Sequence, residues 1–296
     1  MSDPSDSYTQ HRALFVQVYD LDDPSPYFSA LRPSGYRMPV ALAAALQAIH
    51  APLGAVRGAG DTLRVLDFAC GYGVVGAMLR HDVSMPEIYA WYGERQWQPG
   101  DDRRYWEADA AFFAARRAER AAFEIAGIDI AGNALAYAAA MAFVDRAFHE
   151  NLVEDAPGDG LRDFLRSVDI VVESGALGVM LPDAFARILD HRGDEGPPWF
   201  LYCPRPDVNW SALNALWVER GYRAESLLGA PVRYRKPLDA QERADMLRRS
   251  RGFGKRDAAI MRDGYFLVDL TLARPEADTG NPPIAALRAM AEGIPG

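Results

Sequence analysis

Cysteine is nearly absent from this chain of 296 residues: Cys70 and Cys203 are the only two. Two thiols supply neither a disulfide framework nor a cysteine-based zinc cluster. Histidine is scarce as well. His11, His50, His81, His149 and His191 show no metal-ligand spacing, so no metal centre is expected. No run of about 18 consecutive apolar residues occurs, the length a membrane-spanning helix needs, and no membrane association is expected. The opening stretch, MSDPSDSYTQHRALF, lacks the basic and apolar blocks of a secretory leader, which points to a cytoplasmic protein. Positive charge is also in short supply: 32 Lys and Arg against 41 Asp and Glu, a net charge of -9. Nucleic-acid binding needs a positive face to displace counterions, so a small-molecule substrate is expected and a nucleic-acid partner is not. Repeats and low-complexity tracts are missing too, which excludes solenoid architectures.

What is present suits one globular unit. Hydrophobic residues make up 49% of the chain and charged residues 25%, enough apolar material for a large core. A single domain over 1–296 is expected, with a cover segment at 1–40, an insertion at 81–122 and a tail at 275–296. Helix is expected at 40–52, a strand at 63–68 and a helix at 74–80. The insertion is rich in aromatic residues: Tyr89, Trp91, Tyr92, Trp97, Tyr105, Trp106, Phe112 and Phe113. Its centre, QPGDDRR, reads as a loop, and the Ala-, Arg- and Glu-rich tail favours helix. Strand 124–130, helix 132–146, strand 147–151, helix 161–167, strand 168–173, helix 182–191, strand 199–203 and helix 210–221 follow. Further strands are expected at 224–228, 232–237 and 265–273, with a helix at 239–250 and one short helix in the tail. Alternating strands and helices from 63 to 222 imply a parallel sheet covered on both faces. Ligands of such sheets sit at the carboxyl ends of the strands.

The segment RVLDFACGYGVVGAMLR at 64–80 contains Gly71-Tyr72-Gly73-Val74-Val75-Gly76, the letters of a dinucleotide-binding loop. That use requires an acid about 20 residues later, at the end of the second strand. The required position falls in the aromatic insertion, near Trp91 to Glu94. Asp67 stands four residues before Gly71. A carboxylate there opposes a pyrophosphate and welcomes a cation.

On these residues the chain resembles the class I S-adenosylmethionine (SAM)-dependent methyltransferases. LDFACGYG is similar to their first motif, an acid before a glycine-rich turn. GIDIAGNALAYA resembles the second, in which Asp129 would hold the ribose hydroxyls and Ile130 would flank the adenine. HENLVED fits the adenine-edge loop, with Asn151 and Leu152 as contacts. VVESGALGVM fits the segment facing the methionine end and the acceptor, and brings Glu173 and Ser174 to the site. AESLLG, PVRYRKP and GYFLVDLTLAR fit the antiparallel hairpin that closes the sheet. The resemblance spans about 60–275. It implies an α/β, Rossmann-like class I methyltransferase fold: a mostly parallel seven-stranded sheet with a terminal antiparallel strand, an N-terminal segment and a helical lid insertion. It also implies SAM as cofactor, bound by Asp67, Ala69, Gly71, Gly73, Asp129, Ile130, Asn151, Leu152 and Glu173. Two departures stand out. Ala69 replaces the usual first glycine, and the insertion stretches the distance between the first two motifs.

Methyl transfer from a sulfonium needs alignment and exclusion of water more than a signature catalytic group. Glu173, Ser174, Tyr36 and His149 are the residues expected to orient the acceptor or take its proton, and transfer to nitrogen or oxygen of a small molecule of bacterial secondary metabolism is the leading expectation. A second is intramolecular: the amine of SAM closes on its own carbon chain to give azetidine-2-carboxylate and methylthioadenosine. A catalytically silent scaffold is the third. Each residue also has a plainer role. Asp67 could cap a turn, Asp129 could be an exposed strand-end acid, and most histidines could be surface residues. Cys70 reads as loop filler, its thiol kept protonated by Asp67. The insertion's aromatic rings either pack it onto the body or, with Tyr27, Phe28 or Tyr36, cover a sulfonium. Arg116, Arg117, Glu119 and Arg120 read as a solvated helix face, and Arg205 and Asp207 as loop residues or substrate contacts. The Ala-rich helices are compatible with a homodimer without specifying one.

Overall fold

The computed structural model describes residues 18–58, 60–98, 100, 103–175, 180–193 and 196–294. His11, residues 99, 101 and 102 of the QPGDDRR loop, residues 176–179 of VVESGALGVM and residues 194–195 lie outside the described residues.

Strand β1 (Thr62–Phe68) is the centre of the molecule. It pairs in parallel with β2 (Ala122–Asp129) on one side and β4 (Ile170–Glu173) on the other. Strand β3 (Arg146–His149) extends the sheet beyond β2, and β5 (Trp199–Tyr202) extends it beyond β4. Strand β10 (Thr271–Pro275) lies between β5 and β6 (Tyr222–Ser226), antiparallel to both. The order is β3-β2-β1-β4-β5-β10-β6, a seven-stranded, mostly parallel α/β sheet.

Alternation along β1 sends Val65 to one face and Leu66 to the other, and each face has its own core. Val65, Ile125, Ile170 and Leu201 pack with α2 (Met38–Arg57), α3 (Val74–Arg80) and the insertion. Leu66, Ile128, Val171 and Phe200 pack with α7 (Asp159–Leu165), α8 (Leu181–Asp190) and α9 (Ser211–Glu219). Ahead of them, α1 (Ser25–Leu31) leads into α2. Helix α2 is long and apolar enough to cross a membrane by length and composition, but half of that window is buried in the protein. It runs past the expected stop at 52, with Pro52 inside it, because Leu53 and Gly54 continue its buried face.

The insertion forms α4 (Met85–Gly93) and α5 (Trp106–Ala114). A reciprocal Ser84–Glu87 capping box starts α4, satisfying two amides that would otherwise lack partners. Tyr89, Tyr92, Phe112 and Phe113 are buried in the same cluster as Val65 and Ile125. Trp91 stacks on Phe112 at 4.3 Å. The expected lid is therefore part of the core.

Three expected elements are corrected. Residues 265–273 are two strands, not one. Strand β9 (Tyr265–Val268) joins β7 (Val232–Arg235) and β8 (Met261–Arg262) in a separate antiparallel sheet, and only β10 enters the main sheet. Exposed Asp269 breaks the apolar run there, while Leu270 is buried and its carbonyl accepts from Leu227 N at 2.8 Å. Segment 232–237 thus leaves the closing hairpin, whose partners are β6 and β10. The helix expected at 132–146 ends at Ala140 (α6, Gly132–Ala140). The chain turns at Ala142, with φ +53°, to bury Phe143 and Val144. Asp145 then accepts from Ile125 N at 2.7 Å.

Of the remaining helices, α10 (Ala240–Gly252) is tied to β7 by the Arg235–Glu242 ion pair, α11 (Asp257–Ile260) packs on β8 and β9, and α12 (Ile284–Met290) packs on α2.

Candidate functional site

The carboxyl ends of β1, β2 and β4 meet at the glycine loop. Leaving β1, the chain takes left-handed backbone at Ala69 (φ +55°), Gly71 (+52°) and Gly73 (+70°). Glycine adopts this conformation without penalty, which explains two of the three glycines and marks Ala69 as a strained position. The third has a different cause. A methyl group at Gly76 would lie 2.1 Å from the Phe143 carbonyl oxygen, so α3 needs glycine to pack against the segment after α6.

Asp129 ends β2 and reaches the loop. Its carboxylate accepts from Gly71 N (2.7 Å), Ala131 N (2.8 Å) and the Tyr19 hydroxyl (3.0 Å). Burial pushes its pKa up, and these bonds to the charged form pull it back.

Asp67 is fully buried and differs from Asp129 in one respect. Neither of its oxygens has a hydrogen-bond partner among the described residues. Burial raises its pKa well above the ordinary carboxylate value, and Asp129 and Glu173 raise it further. Glu173 ends β4 in register with Phe68, is also buried, and accepts from Gly175 N. Three carboxylates thus stand on adjacent strand ends. Such a site favours a cation and disfavours a phosphate.

Tyrosines wall the same region. Tyr19 packs on Tyr27 (ring centroids 5.7 Å apart), and Tyr27 on Tyr72 (5.1 Å). The Tyr36 hydroxyl donates to the Ser174 carbonyl at 2.5 Å, and its ring meets Tyr234 edge-on at 5.6 Å. Gly175 (φ +131°) lies beneath Tyr234: a Cβ there would come within 2.7 Å of the Tyr234 hydroxyl. Burial holds the Tyr36 phenol protonated, with its pKa well above the ordinary value, so Tyr36 acts as a donor and not as a base. Phe28 stacks on Tyr92 at 4.5 Å and is packed in the core.

The other expected residues divide. Ile130 is 59% exposed beside Asp129, an apolar side chain available to a flat ligand. His149 lies exposed on the edge strand, its Nε2 3.0 Å from the Ile130 carbonyl and its ring against Gly132. Asn151 accepts from Val153 N at 3.1 Å and so orders the loop. Leu152 is buried in the core with Leu161 and Phe164. Arg205 and Asp207 form a bidentate pair at 3.0 and 2.9 Å, and Arg249 joins at 2.8 Å. Burial, followed by Asp67 and Asp129, pushes the Cys70 thiol up, as its place in the loop suggests. Among the described residues, no group of three or more His, Cys, Asp or Glu is placed to hold a metal ion.

Tyr19 and Tyr234 were not identified from sequence. Each reaches the site from far along the chain, and neither carries a local motif. The structure also removes one argument from spacing. Asp129 reaches the glycine loop although α4 and α5 intervene, so the late acid does not by itself exclude a dinucleotide. Buried Asp67 is what weighs against one.

No family model matches the chain, and no curated protein matches it. Solved structures with some likeness include a TehB-like SAM-dependent methyltransferase from Corynebacterium glutamicum. It is 12% identical over 77% of this chain and 89% of that one, with a TM-score of 0.37. The plantazolicin methyltransferase BpumL, in complex with S-adenosylhomocysteine, is 8% identical over 81% and 85%, with a TM-score of 0.40. Similarity at that level assigns neither an activity nor a ligand.

Proposed function

We propose that this chain binds SAM at the carboxyl ends of β1, β2 and β4 and catalyses methyl transfer to nitrogen or oxygen of a small molecule. The observation that carries this reading is Asp67, a fully buried carboxylate whose two oxygens lack partners among the described residues. A buried charge needs a counter-charge or a proton, and the ammonium of a bound amino acid moiety meets that need. Bound SAM supplies an already activated methyl group.

The chain's own residues then have these roles. Asp129 accepts from ribose hydroxyls. Ile130 packs on the adenine face. Asp67, with Glu173 beside it, takes the ammonium. The tyrosine wall of Tyr27, Tyr36 and Tyr234 faces the sulfonium and the acceptor, where aromatic rings favour cations and exclude water. Tyr36, fixed on the Ser174 carbonyl, positions the segment after β4. Glu173 is the group best placed to take a proton from the acceptor.

The test is incubation of the purified protein with SAM, with and without a panel of amines, phenols and alcohols, followed by mass spectrometry. Acceptor-dependent S-adenosylhomocysteine is expected. Methylthioadenosine formed from SAM alone would contradict methyl transfer and indicate attack on the methionine chain instead.

A further inference from the structure

Asp129 Oδ2 already has a full set of hydrogen bonds. Oδ1 accepts from Ala131 N, and Oδ2 accepts from Gly71 N and the Tyr19 hydroxyl. A carboxylate oxygen offers about two lone-pair sites, so Oδ2 has none left for a ribose. Two of the donors are backbone amides, fixed by the turn after β2 and by the glycine loop. Among the described residues, the Tyr19 hydroxyl is the one donor to Asp129 on a side chain that can turn away. It also rests on the loop itself, where a methyl group at Gly71 would approach it to 2.7 Å.

Tyr19 belongs to a strap with its own fastenings. Asp20 accepts from Asn133 N at 2.7 Å, at the start of α6. Leu21 N donates to the Tyr72 hydroxyl at 3.1 Å. The Asp22 carbonyl accepts from Trp106 Nε1 at 2.7 Å, and Asp23 pairs with Arg95 at 3.4 Å.

We propose that the Tyr19 hydroxyl holds the place on Asp129 Oδ2 that a cofactor ribose hydroxyl takes, so that cofactor binding releases the strap instead of closing it. The inference rests on the SAM reading above. It makes the seated strap a competitor of the cofactor, and its direction is opposite to that of a lid that tightens on its ligand.

The test uses the full chain with S-adenosylhomocysteine as the probe. Calorimetric titration compares the natural protein with Tyr19→Phe, and hydrogen exchange follows residues 18–24 with and without saturating ligand. Tyr19→Phe is expected to bind about three- to tenfold more tightly, the equivalent of one net hydrogen bond. Exchange across 18–24 is expected to speed up on binding. Weaker or unchanged affinity in Tyr19→Phe, or slower exchange on binding, would overturn the proposal while leaving the SAM reading intact. If Tyr19→Phe fails to fold, Asp20→Ala, which unfastens the strap from α6 without touching Asp129, must tighten binding in the same way. No binding by the natural protein would overturn both readings.

Discussion

A carboxyl group at 0% exposure with no hydrogen bond to either oxygen among the described residues is costly in its charged form. Asp67 is that group. Its pKa in the folded protein is raised by burial first, and then by Asp129 and Glu173. Its contribution to stability is therefore full below the unfolded-state pKa of about 3.9 and is lost as pH rises through the folded-state pKa. Asp67→Asn is expected to stabilise the unliganded protein at higher pH by on the order of 1 kcal/mol, read as a raised melting temperature. The same change should weaken SAM binding by about 10- to 100-fold, the loss of a charge-assisted bond. A purely structural aspartate would show neither effect. The pH dependence has a sign as well. A bound ammonium lowers the Asp67 pKa, so binding releases a proton and affinity rises as pH climbs through the unliganded value. Titrations in buffers of different ionisation enthalpy should show that proton leaving. Identical heats in all buffers would remove the ammonium from Asp67.

At the scale of elements, α4 and α5 are the informative case. Asp109, on α5, is fully buried and accepts from Trp91 Nε1 (2.7 Å), the Tyr137 hydroxyl (2.8 Å) and Arg95 (3.0 Å). Asp109→Ala leaves Arg95 buried without its main partner and is expected to cost roughly 3–5 kcal/mol, measurable by urea unfolding. Removal of 85–114 is expected to abolish cooperative unfolding, because Tyr89, Tyr92, Phe112 and Phe113 are core side chains. A folded deletion product would contradict this packing. The two possible uses of these rings could not be separated in the sequence, since an aromatic-rich segment looks alike whether it packs or covers. The central strands and α3 were legible because their apolar runs and the glycine turn are local signals. The split of 265–273 was not, because one exposed Asp269 decides it and its meaning depends on which sheet each half can pair with.

The whole molecule brings together what the chain holds apart. The sequence made the parallel sheet legible, and with it the end where ligands of such sheets bind, because strand and helix periods alternate from 63 to 222. Asp67, Gly71, Gly73, Asp129 and Glu173 were legible as candidate site residues because each stands at the carboxyl end of a strand or in the loop just after it. Tyr19 and Tyr234 were not, because β7 stands in a separate sheet and the strap crosses from the far end of the chain. Their positions are set by tertiary contacts alone. The central claim is that the three strand-end carboxylates form a SAM site, and calorimetric titration of S-adenosylhomocysteine into the natural protein and Asp129→Ala tests it most directly. One site per chain is predicted, weakened in the variant by roughly 1.5–3 kcal/mol, the cost of a charge-assisted hydrogen bond. No binding by the natural protein, or equal affinity in the two, would contradict it.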